Sequence, residues 1–358
     1  MKINILESKI IGCNDDSLHN YWGWPTITRL KDGRLAIAAS GFRLGHICPF
    51  GKCVVMFSAD EGKTWSLPTP VIDTPLDDRD GGITAFGESS LIVTSFNNSL
   101  EFQHEHGWAN DGGDCAYANK YLDFVEQKCP DWRKYVGSTY RISHDNGVTY
   151  GPIMKMPVTC PHGPTEMPDG TLLYIGRKFS DNDQFREGEK HLSCYKMYAD
   201  GSYELLSEIE NADGINSCEP HTIITSSGKI IVHIRMEGNG YFSIWQSEST
   251  DGGNTFTAPH ALLSQRGGSP AHIIEHNGTL VSVYGYRNEP YGIRVMFSKD
   301  DGETWDTDNV LVDDGTDGDL GYPASVILPD GNILTIFYFK RPDNTCIIRQ
   351  VIWNYSEE

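Results

Sequence analysis

Basic side chains recur at the ends of short apolar segments in a chain that is otherwise strongly acidic. Arg43, Arg177, Arg235, Arg287 and Lys340 each follow such a segment, whereas the 358 residues together carry 29 Lys and Arg against 49 Asp and Glu, a formal net charge of −20. A guanidinium binds a carboxylate through two parallel hydrogen bonds, which provide orientation as well as affinity. If the fold gathers these positions, they form a local basic pocket, and such a pocket predicts an anionic ligand.

A second set of chemically capable side chains stands just before the apolar segments that pair with those ends. A phenol assisted by a carboxylate can act as a nucleophile, and a buried carboxylic acid can donate a proton. An indole can stack on a sugar, and an arginine can bind an anion. The set comprises Trp24, Arg79, Asp80, His162, Glu219, His221, His272 and Tyr322.

Three imidazoles of this set, His162, His221 and His272, lie near the starts of three consecutive segments. They could converge on a metal ion, but hydrogen bonding to a sugar, or stacking on one, is the more common use of histidines at such positions. We therefore assign them, together with Trp24, to substrate binding. We expect neither a metal nor a cofactor.

Six β-hairpins must position these residues. Each consists of two apolar, strand-like runs joined by a glycine-containing turn, such as Lys31-Asp32-Gly33, Pro168-Asp169-Gly170 or Pro329-Asp330-Gly331. These turns are strong hairpin signals. The hairpins span residues 26–38, 83–93, 165–174, 222–232, 272–282 and 325–335.

An eight-residue pattern, Ser-x-Asp-x-Gly-x-Thr followed by an aromatic residue, occurs four times. The copies cover residues 58–65, 143–150, 249–256 and 298–305, and each follows an apolar run. The Asp suits a tight turn in which its carboxylate accepts backbone N–H groups, and the Gly suits a positive φ. We interpret these segments as structural and expect no catalytic role for them.

The two repeats together predict an all-β fold, a six-bladed β-propeller of four-stranded antiparallel blades. The C-terminal run 346–352 is then the third strand of the last blade, and residues 2–11 supply its fourth strand and close the ring. We predict a single domain over residues 1–358. One insertion, at about residues 97–137, contains a short helix near Leu122 and lies on the rim of the cleft.

The four copies of the pattern resemble the Asp-box of sialidases, and the resemblance extends to individual residues. In that family a Glu at the start of the fourth blade assists a Tyr nucleophile from the sixth, and arginines bind the substrate carboxylate. Glu219, followed by Pro220, looks like that Glu, and Tyr322 looks like the nucleophile. Arg235 and Arg294 look like two of the arginines. Sialidases are an exception to the use of two carboxylates in glycoside hydrolysis.

Two parts of the sialidase pattern are missing. The first arginine of the family lies in an Arg-Ile-Pro run, where this chain has Gly23-Trp24-Pro25. The acidic Asp of the family follows the second strand of the first blade, where this chain has Arg43 and no carboxylate. His46 and Asp80 are the two alternatives for the missing acid. Burial would raise the pKa of Asp80, whereas the adjacent Arg79 would lower it.

These residues predict an exo-acting glycoside hydrolase that releases a terminal acidic sugar, either sialic acid or a uronide, through Tyr322 and Glu219. The missing arginine and acid favour the uronide. A uronide lyase that uses Tyr322, His221 and Arg235 remains open as an alternative, because a His or Tyr can abstract a proton beside a neutralised carboxylate. A non-catalytic glycan-binding propeller is the other alternative, since propellers serve many functions.

Composition excludes several kinds of partner. The acidic surface would repel a nucleic-acid backbone, and no apolar run approaches the length of about 18 residues that a membrane helix needs. The nine cysteines are odd in number and widely spaced, which favours a reducing compartment over a disulfide framework. Because the N-terminus also lacks the apolar run of a secretion signal, we expect a cytoplasmic location. The expected partner is a glycan, and the oligomeric state is left open.

Overall fold

The computed structural model describes residues 1–106, 115–179, 191–211, 216–238, 241–263, 268 and 270–357. The polypeptide forms six antiparallel sheets that follow one another along the chain. The N-terminal strand β1 (Lys2–Gly12) joins the sheet made by the C-terminal segment, where Ile3 pairs with Tyr355 and Ser8 with Val351. The predicted six-bladed propeller and its closure by the N-terminal strand are therefore confirmed.

The strands of each blade succeed one another from the axis outward. The first blade contains β2 (Tyr21–Arg29), β3 (Leu35–Arg43), β4 (Lys52–Ser58) and β5 (Thr69–Ile72). The second contains β6 (Arg79–Phe86), β7 (Ser90–Asn97), β8 (Gly137–Ser143) and β9 (Met154–Met156). In the third, a divided inner strand, β10 (Val158–Thr159) and β11 (Thr165–Glu166), pairs with β12 (Leu172–Lys178), followed by β13 (Leu192–Met197) and β14 (Tyr203–Ile209).

The remaining three blades have the same order. The fourth contains β15 (Asn216–Ile224), β16 (Ile230–Gly238), β17 (Tyr241–Ser249) and β18 (His260–Ala261). The fifth contains β19 (Ala271–His276), β20 (Thr279–Tyr286), β21 (Gly292–Ser298) and β22 (Asp306–Val312). The sixth contains β23 (Leu320–Ile327), β24 (Ile333–Lys340), β25 (Cys346–Ser356) and β1.

Hydrophobic layers between neighbouring blades hold the ring together. One layer joins Ile37 and Val54 of the first blade to Leu334 and Ile348 of the sixth, and all four side chains are fully buried. Equivalent layers lie between the other blades. The strands are apolar on both faces because each sheet is covered on both sides, and this burial supplies most of the stabilisation.

The four Asp-boxes connect the third strand of a blade to the fourth. In the first copy, the Ser58 hydroxyl accepts a hydrogen bond from the Gly62 amide at 2.9 Å, and the Thr64 hydroxyl donates to Asp60 at 2.6 Å. The indole of Trp65 donates to Gln350 of the neighbouring blade at 3.0 Å. The boxes therefore fix turns and blade contacts, as the sequence predicted.

The predicted insertion lies between β7 and β8. It contains helix α1 (Leu100–His106), helix α2 (Cys115–Lys128) and a short 3-10 helix, Trp132–Tyr135. Residues 107–114 of this insertion lie outside the described residues. None of the helices in the described part of the chain is long and apolar enough to cross a membrane.

Candidate active site

Four inner strands contain the same backbone irregularity near their N-terminal ends. The register shifts between Gly23 and Thr26, Arg79 and Gly82, Cys218 and His221, and Gly321 and Ala324 mark a β-bulge in each strand. The bulged residues Trp24, Asp80, Glu219 and Tyr322 have positive φ values of 53°, 51°, 47° and 49°. A left-handed conformation costs a non-glycine residue about 1–3 kcal/mol. Because bulges redirect side chains, this repeated feature marks the candidate functional end of the propeller.

Tyr322 and Glu219 form the centre of the site. The Tyr322 hydroxyl donates a hydrogen bond to a carboxylate oxygen of Glu219 at 2.6 Å. Burial, followed by the charges of Glu219 and Asp80, raises the pKa of Tyr322 well above its ordinary value, and its side chain is 4% exposed. The phenol is therefore protonated at rest, and Glu219 is the group placed to take its proton.

Arg235 connects this pair to another carboxylate. Its guanidinium donates to Glu219 at 2.5 Å, to the Tyr322 oxygen at 3.3 Å and to Glu237 at 2.9 Å. Burial alone would lower the pKa of Arg235, but the charges of Glu219 and the other acidic neighbours together outweigh it, and the pKa is raised well above the usual value. Sequence reasoning missed Glu237, although its position two residues after Arg235 on β16 places both side chains on the same face of the strand.

Asp80 lies in the same cavity as Glu219. It is 5% exposed, and its Oδ1 atom is buried without a hydrogen-bond partner among the described residues. Burial raises the pKa of Asp80 to about 7, a shift that Arg79 opposes and the charge of Glu219 assists. Asp80 therefore keeps its proton up to about pH 7 and can donate it.

Arg79 contributes a cation to the cavity from the second blade. Its guanidinium carbon lies 4.8 Å from the ring centre of Trp24 and 5.4 Å from that of Phe96. Trp24 is 1% exposed, and Arg43 covers it at 4.8 Å. The buried ring thus supports Arg79, and the assignment of Trp24 to substrate binding stays a prediction.

The cavity that Arg79, Asp80 and Glu219 line has a volume of about 260 Å³. Tyr322 and Arg235 contact Glu219 but are not among the residues that line it. Arg177 of the third blade lines it and donates to Asn216 at 2.5 Å, and burial lowers the pKa of Arg177 to about 10. Arg287, at the end of the fifth blade's second strand, donates to the Leu320 carbonyl at 3.1 Å. The residues lining the cavity are Arg79, Asp80, Phe96, Asn98, Phe102, Thr159, Pro161, Arg177, Phe179, Cys218, Glu219 and Glu237. Asn98 and Phe102 belong to the insertion, which thus forms part of the cavity wall.

Two predicted substrate-binding arginines have structural partners instead. Arg43 is fully buried and pairs with the equally buried Asp77 at 2.5 Å. Arg294 donates to the carbonyls of Val312 and Pro290, both at 3.2 Å, and stacks at 4.4 Å on Tyr286. Neither residue lines the cavity. Arg43 is buried beside Asp77, and Arg294 donates its hydrogen bonds within the fifth blade. Neither side chain therefore reaches the cavity.

His46 belongs to a neighbouring polar cluster that crosses the seam between the first and sixth blades. Its Nδ1 atom lies 2.9 Å from the Tyr21 hydroxyl and 3.3 Å from Asp319. Asp319 also accepts hydrogen bonds from Tyr21 at 2.9 Å and from Tyr338 at 2.8 Å. Burial lowers the pKa of His46. Of the two alternatives for the acid, Asp80 lines the cavity and His46 does not. Sequence reasoning missed Asp319, because no motif marks this residue.

The three predicted histidines do not line this cavity. His162, His221 and His272 lie further along the inner strands and line a second cavity of about 300 Å³, whose other walls come from all six inner strands. In the described parts of the chain, no group of three or more His, Cys, Asp or Glu side chains is arranged to hold a metal ion. The inner strands thus place the histidines outside the cavity that Asp80 and Glu219 line, and their assignment to substrate binding stays a prediction.

Comparisons with known proteins support the propeller fold. A profile described as BNR repeat-like domain matches residues 121–335. A protein of unknown function from Dyadobacter fermentans aligns with a TM-score of 0.78 and 19% identity, covering 99% of each chain. A sialidase from Streptococcus pneumoniae aligns with a TM-score of 0.66 and 13% identity, over 96% of this chain and 70% of that one.

An α-L-arabinanase from Penicillium chrysogenum, in complex with arabinobiose, has a TM-score of 0.65 and 13% identity, covering 97% of this chain and 98% of that one. No curated protein sequence matches. At these identities the structural likeness shows the propeller fold alone.

Proposed function

Because the chain belongs to the BNR repeat-like domain family, we propose that it is a retaining exo-glycoside hydrolase that releases a terminal acidic sugar from a glycan. The hydrogen bond of 2.6 Å between Tyr322 and Glu219 is the observation that carries this proposal. It joins a potential nucleophile to a potential base, and the base, Glu219, lines a small cavity. A volume of about 260 Å³ lies at the lower end of the usual range for ligand pockets and suits one terminal sugar unit.

The first step forms a covalent intermediate. The Tyr322 oxygen attacks the anomeric carbon while its proton passes to Glu219, and the bond from that carbon to the leaving oxygen breaks. Asp80 gives its proton to the leaving oxygen, so that the remainder of the glycan departs as a neutral alcohol. Arg235, which contacts both Glu219 and Tyr322, stabilises the negative charge that develops on the phenol oxygen.

The second step releases the sugar. The Asp80 carboxylate accepts a proton from water, and the water oxygen attacks the anomeric carbon. The bond to Tyr322 breaks, and Glu219 returns the proton to the phenol. Two displacements at the same carbon retain its configuration.

The charges of the cavity support an acidic sugar. Arg235 is compensated by Glu219 and Glu237, whereas Arg79 rests on two aromatic rings and forms no salt bridge within the described residues. Arg177 lines the same cavity and brings a second cation to it. We assign the sugar carboxylate to Arg79 and Arg177, with sialic acid and the uronides as the candidate substrates.

A panel of aryl sialosides, glucuronides, galacturonides and neutral α-L-arabinofuranosides tests this proposal. We expect release of the aryl group from at least one acidic glycoside, with the α or β configuration of the sugar retained in the first product seen by NMR. Tyr322→Phe should remove this activity, whereas the matched control Tyr203→Phe, at an exposed tyrosine of the third blade, should keep it. An unsaturated product would establish a lyase, cleavage of the arabinofuranoside alone would refute the acidic sugar, and binding without turnover of any glycoside would leave a glycan-binding protein.

A further inference from the structure

A polar cluster spans the mouth of the propeller at the seam where the first blade meets the sixth. Tyr21 begins β2, His46 follows β3, Asp319 directly precedes β23, and Tyr338 lies near the end of β24. These four side chains, which we call the seam cluster, therefore lie at the same end of the ring as Tyr322. The proposed hydrolysis uses none of them.

Trp24 joins the seam cluster to the active site. Its ring centre lies 5.0 Å from that of His46 and 6.3 Å from that of Tyr322. Arg79 covers the same indole at 4.8 Å, and its charge acts on His46. Asp80 follows Arg79 in the chain and protonates the leaving oxygen in the proposed reaction. The sugar attached to that oxygen therefore leaves beside the first blade, next to the seam cluster.

The hydrogen bonds of the seam cluster place the proton of His46 on Nδ1. The hydroxyls of Tyr21 and Tyr338 donate to Asp319 at 2.9 and 2.8 Å. Nδ1 of His46 lies 2.9 Å from the Tyr21 oxygen and 3.3 Å from Asp319. A carboxylate can only accept, and the single proton of the Tyr21 hydroxyl is already donated to it, so Nδ1 must be the donor.

Nε2 of His46 is the open position of the cluster. The side chain is 37% exposed, and no hydrogen bond reaches Nε2 from any of the described residues. Burial, aided by the charges of Arg79 and Arg43, lowers the pKa of His46 against the opposing effect of Asp319, so the ring is neutral at pH 7. In the neutral ring with its proton on Nδ1, Nε2 has a free electron pair and accepts a hydrogen bond from a ligand hydroxyl.

Asp319 gives the seam cluster a negative charge. Burial would raise the pKa of Asp319, but its hydrogen-bond donors, His46 foremost, outweigh burial and hold the pKa well below the usual range. In the part of the chain that the structure describes, no lysine or arginine forms a salt bridge with this carboxylate. Like charges brought together at a binding surface cost free energy, so the cluster favours a neutral hydroxylated ligand over an anion.

We propose that His46 and Asp319 form the subsite for the sugar that leaves in the hydrolysis, and that this sugar is a neutral pyranose. Nε2 of His46 accepts a hydrogen bond from one of its hydroxyls, and the charge of Asp319 selects against an acidic sugar at the same place. The preferred glycan therefore joins an acidic terminal unit to a neutral one. This inference rests on the proposed hydrolysis, because it places the remainder of the same glycan.

Steady-state kinetics on matched substrates test the charge selection. All substrates carry the acidic sugar that the aryl glycoside panel identifies, joined to nitrophenol, to glucose or to glucuronic acid. In the wild type, kcat/KM for the glucose conjugate should exceed that for the glucuronic acid conjugate at least tenfold. Asp319→Asn should reduce this ratio to below threefold, because it removes the charge and keeps the shape of the side chain. Asp200→Asn, at an exposed aspartate of the third blade, is the matched control and should keep the wild-type ratio.

His46→Ala tests the hydrogen bond. Its kcat/KM should fall about fivefold to tenfold more on the glucose conjugate than on the nitrophenyl glycoside, because only the first has a sugar hydroxyl for Nε2. His144→Ala, at an exposed histidine of the second blade, should show no such difference. An equal loss on both substrates would make His46 a structural or catalytic group, and together with a charge ratio that Asp319→Asn leaves unchanged it would overturn the subsite while leaving the hydrolysis intact.

Crystals of the wild-type chain provide a test that needs neither turnover nor a variant that folds. After soaking in methyl glucoside or methyl galactoside, density for the sugar should appear with a hydroxyl at hydrogen-bond distance from Nε2 of His46, and methyl glucuronide should not bind there. If the panel shows no hydrolysis, a neutral sugar at the seam cluster would still establish the subsite in a glycan-binding protein. A seam cluster that stays empty with both neutral sugars, or that binds the glucuronide, would refute it.

Discussion

The hydroxyl of Tyr322 lies 2.6 Å from the carboxylate of Glu219, although 103 residues separate them along the chain. Each residue occupies the bulge of its inner strand in a left-handed conformation, so the same backbone device delivers both side chains to one point. The strain at these positions is maintained by the propeller around them, which is the usual relation between backbone strain and a functional site.

Glu219→Gln should lower kcat by about 10²- to 10⁴-fold with a small change in KM, because the amide can still accept a hydrogen bond but cannot take the phenol proton. Steady-state kinetics on the best aryl glycoside of the panel measure this. Glu126→Gln, at an exposed glutamate of α2, is the control and should have wild-type kinetics. Wild-type turnover in Glu219→Gln would remove Glu219 from the mechanism.

The pH dependence of kcat/KM should report the protonation of Asp80. Since its pKa is raised to about 7, Asp80 carries the proton it must donate below that pH and loses it above, so activity should fall on the alkaline side of pH 7. Asp80→Asn should remove this alkaline limb and lower activity on substrates with poor leaving groups, while a dinitrophenyl glycoside, which needs no protonation, should be cleaved much faster than these. An unchanged alkaline limb in Asp80→Asn would point to another acid, of which His46 is the first to test.

Arg79→Ala should raise KM for an acidic glycoside by about tenfold to a hundredfold, since a hydrogen bond to a charged group contributes about 1.5–3 kcal/mol. Its unfolding midpoint should change little, because Arg79 rests on Trp24 and Phe96 at the cavity and forms no salt bridge among the described residues. Arg133→Ala, at an exposed arginine of the insertion, serves as the control. An unchanged KM would show that Arg79 does not hold the substrate carboxylate.

Arg43→Ala should lower the unfolding midpoint and leave the substrate affinity unchanged. It leaves the fully buried carboxylate of Asp77 without its partner, and the loss of one member of a buried ion pair typically costs about 3–5 kcal/mol. Denaturant unfolding measures this as a lower midpoint. If the protein instead kept its stability and lost substrate affinity, Arg43 would be a ligand contact after all.

Stability should decline as the pH falls from about 6.5 toward 4. Burial lowers the pKa of His233 to about 4 and that of His272 to about 3, whereas both titrate near 6.5 in the unfolded chain. Within this window the unfolded state binds more protons than the folded state, so acid favours unfolding. The free energy of unfolding, measured by urea titration at several pH values, should show this slope. His233→Gln should reduce the slope, and no slope between pH 6.5 and 4 would contradict the buried neutral histidines.

The sequence by itself determined the architecture, because the signals for it are local. Each Asp-box and each glycine turn is specified by consecutive residues, and their repetition fixed the number of blades and the closure by β1. The positions of Glu219, Arg235 and Tyr322 could be predicted as well, since an inner strand must begin at the axis. Glu237 could have been found from the alternation along β16.

The tertiary structure alone decided which arginine lines the cavity and which is a structural partner. Arg43 and Arg79 look alike in the sequence. In the fold, Arg43 is buried and pairs with Asp77, whereas Arg79 stacks on Trp24 and Phe96 and lines the cavity. The pKa of Asp80 likewise depends on burial and on charges from other blades. Burial and distance between blades are properties of the closed ring, and no run of consecutive residues contains them.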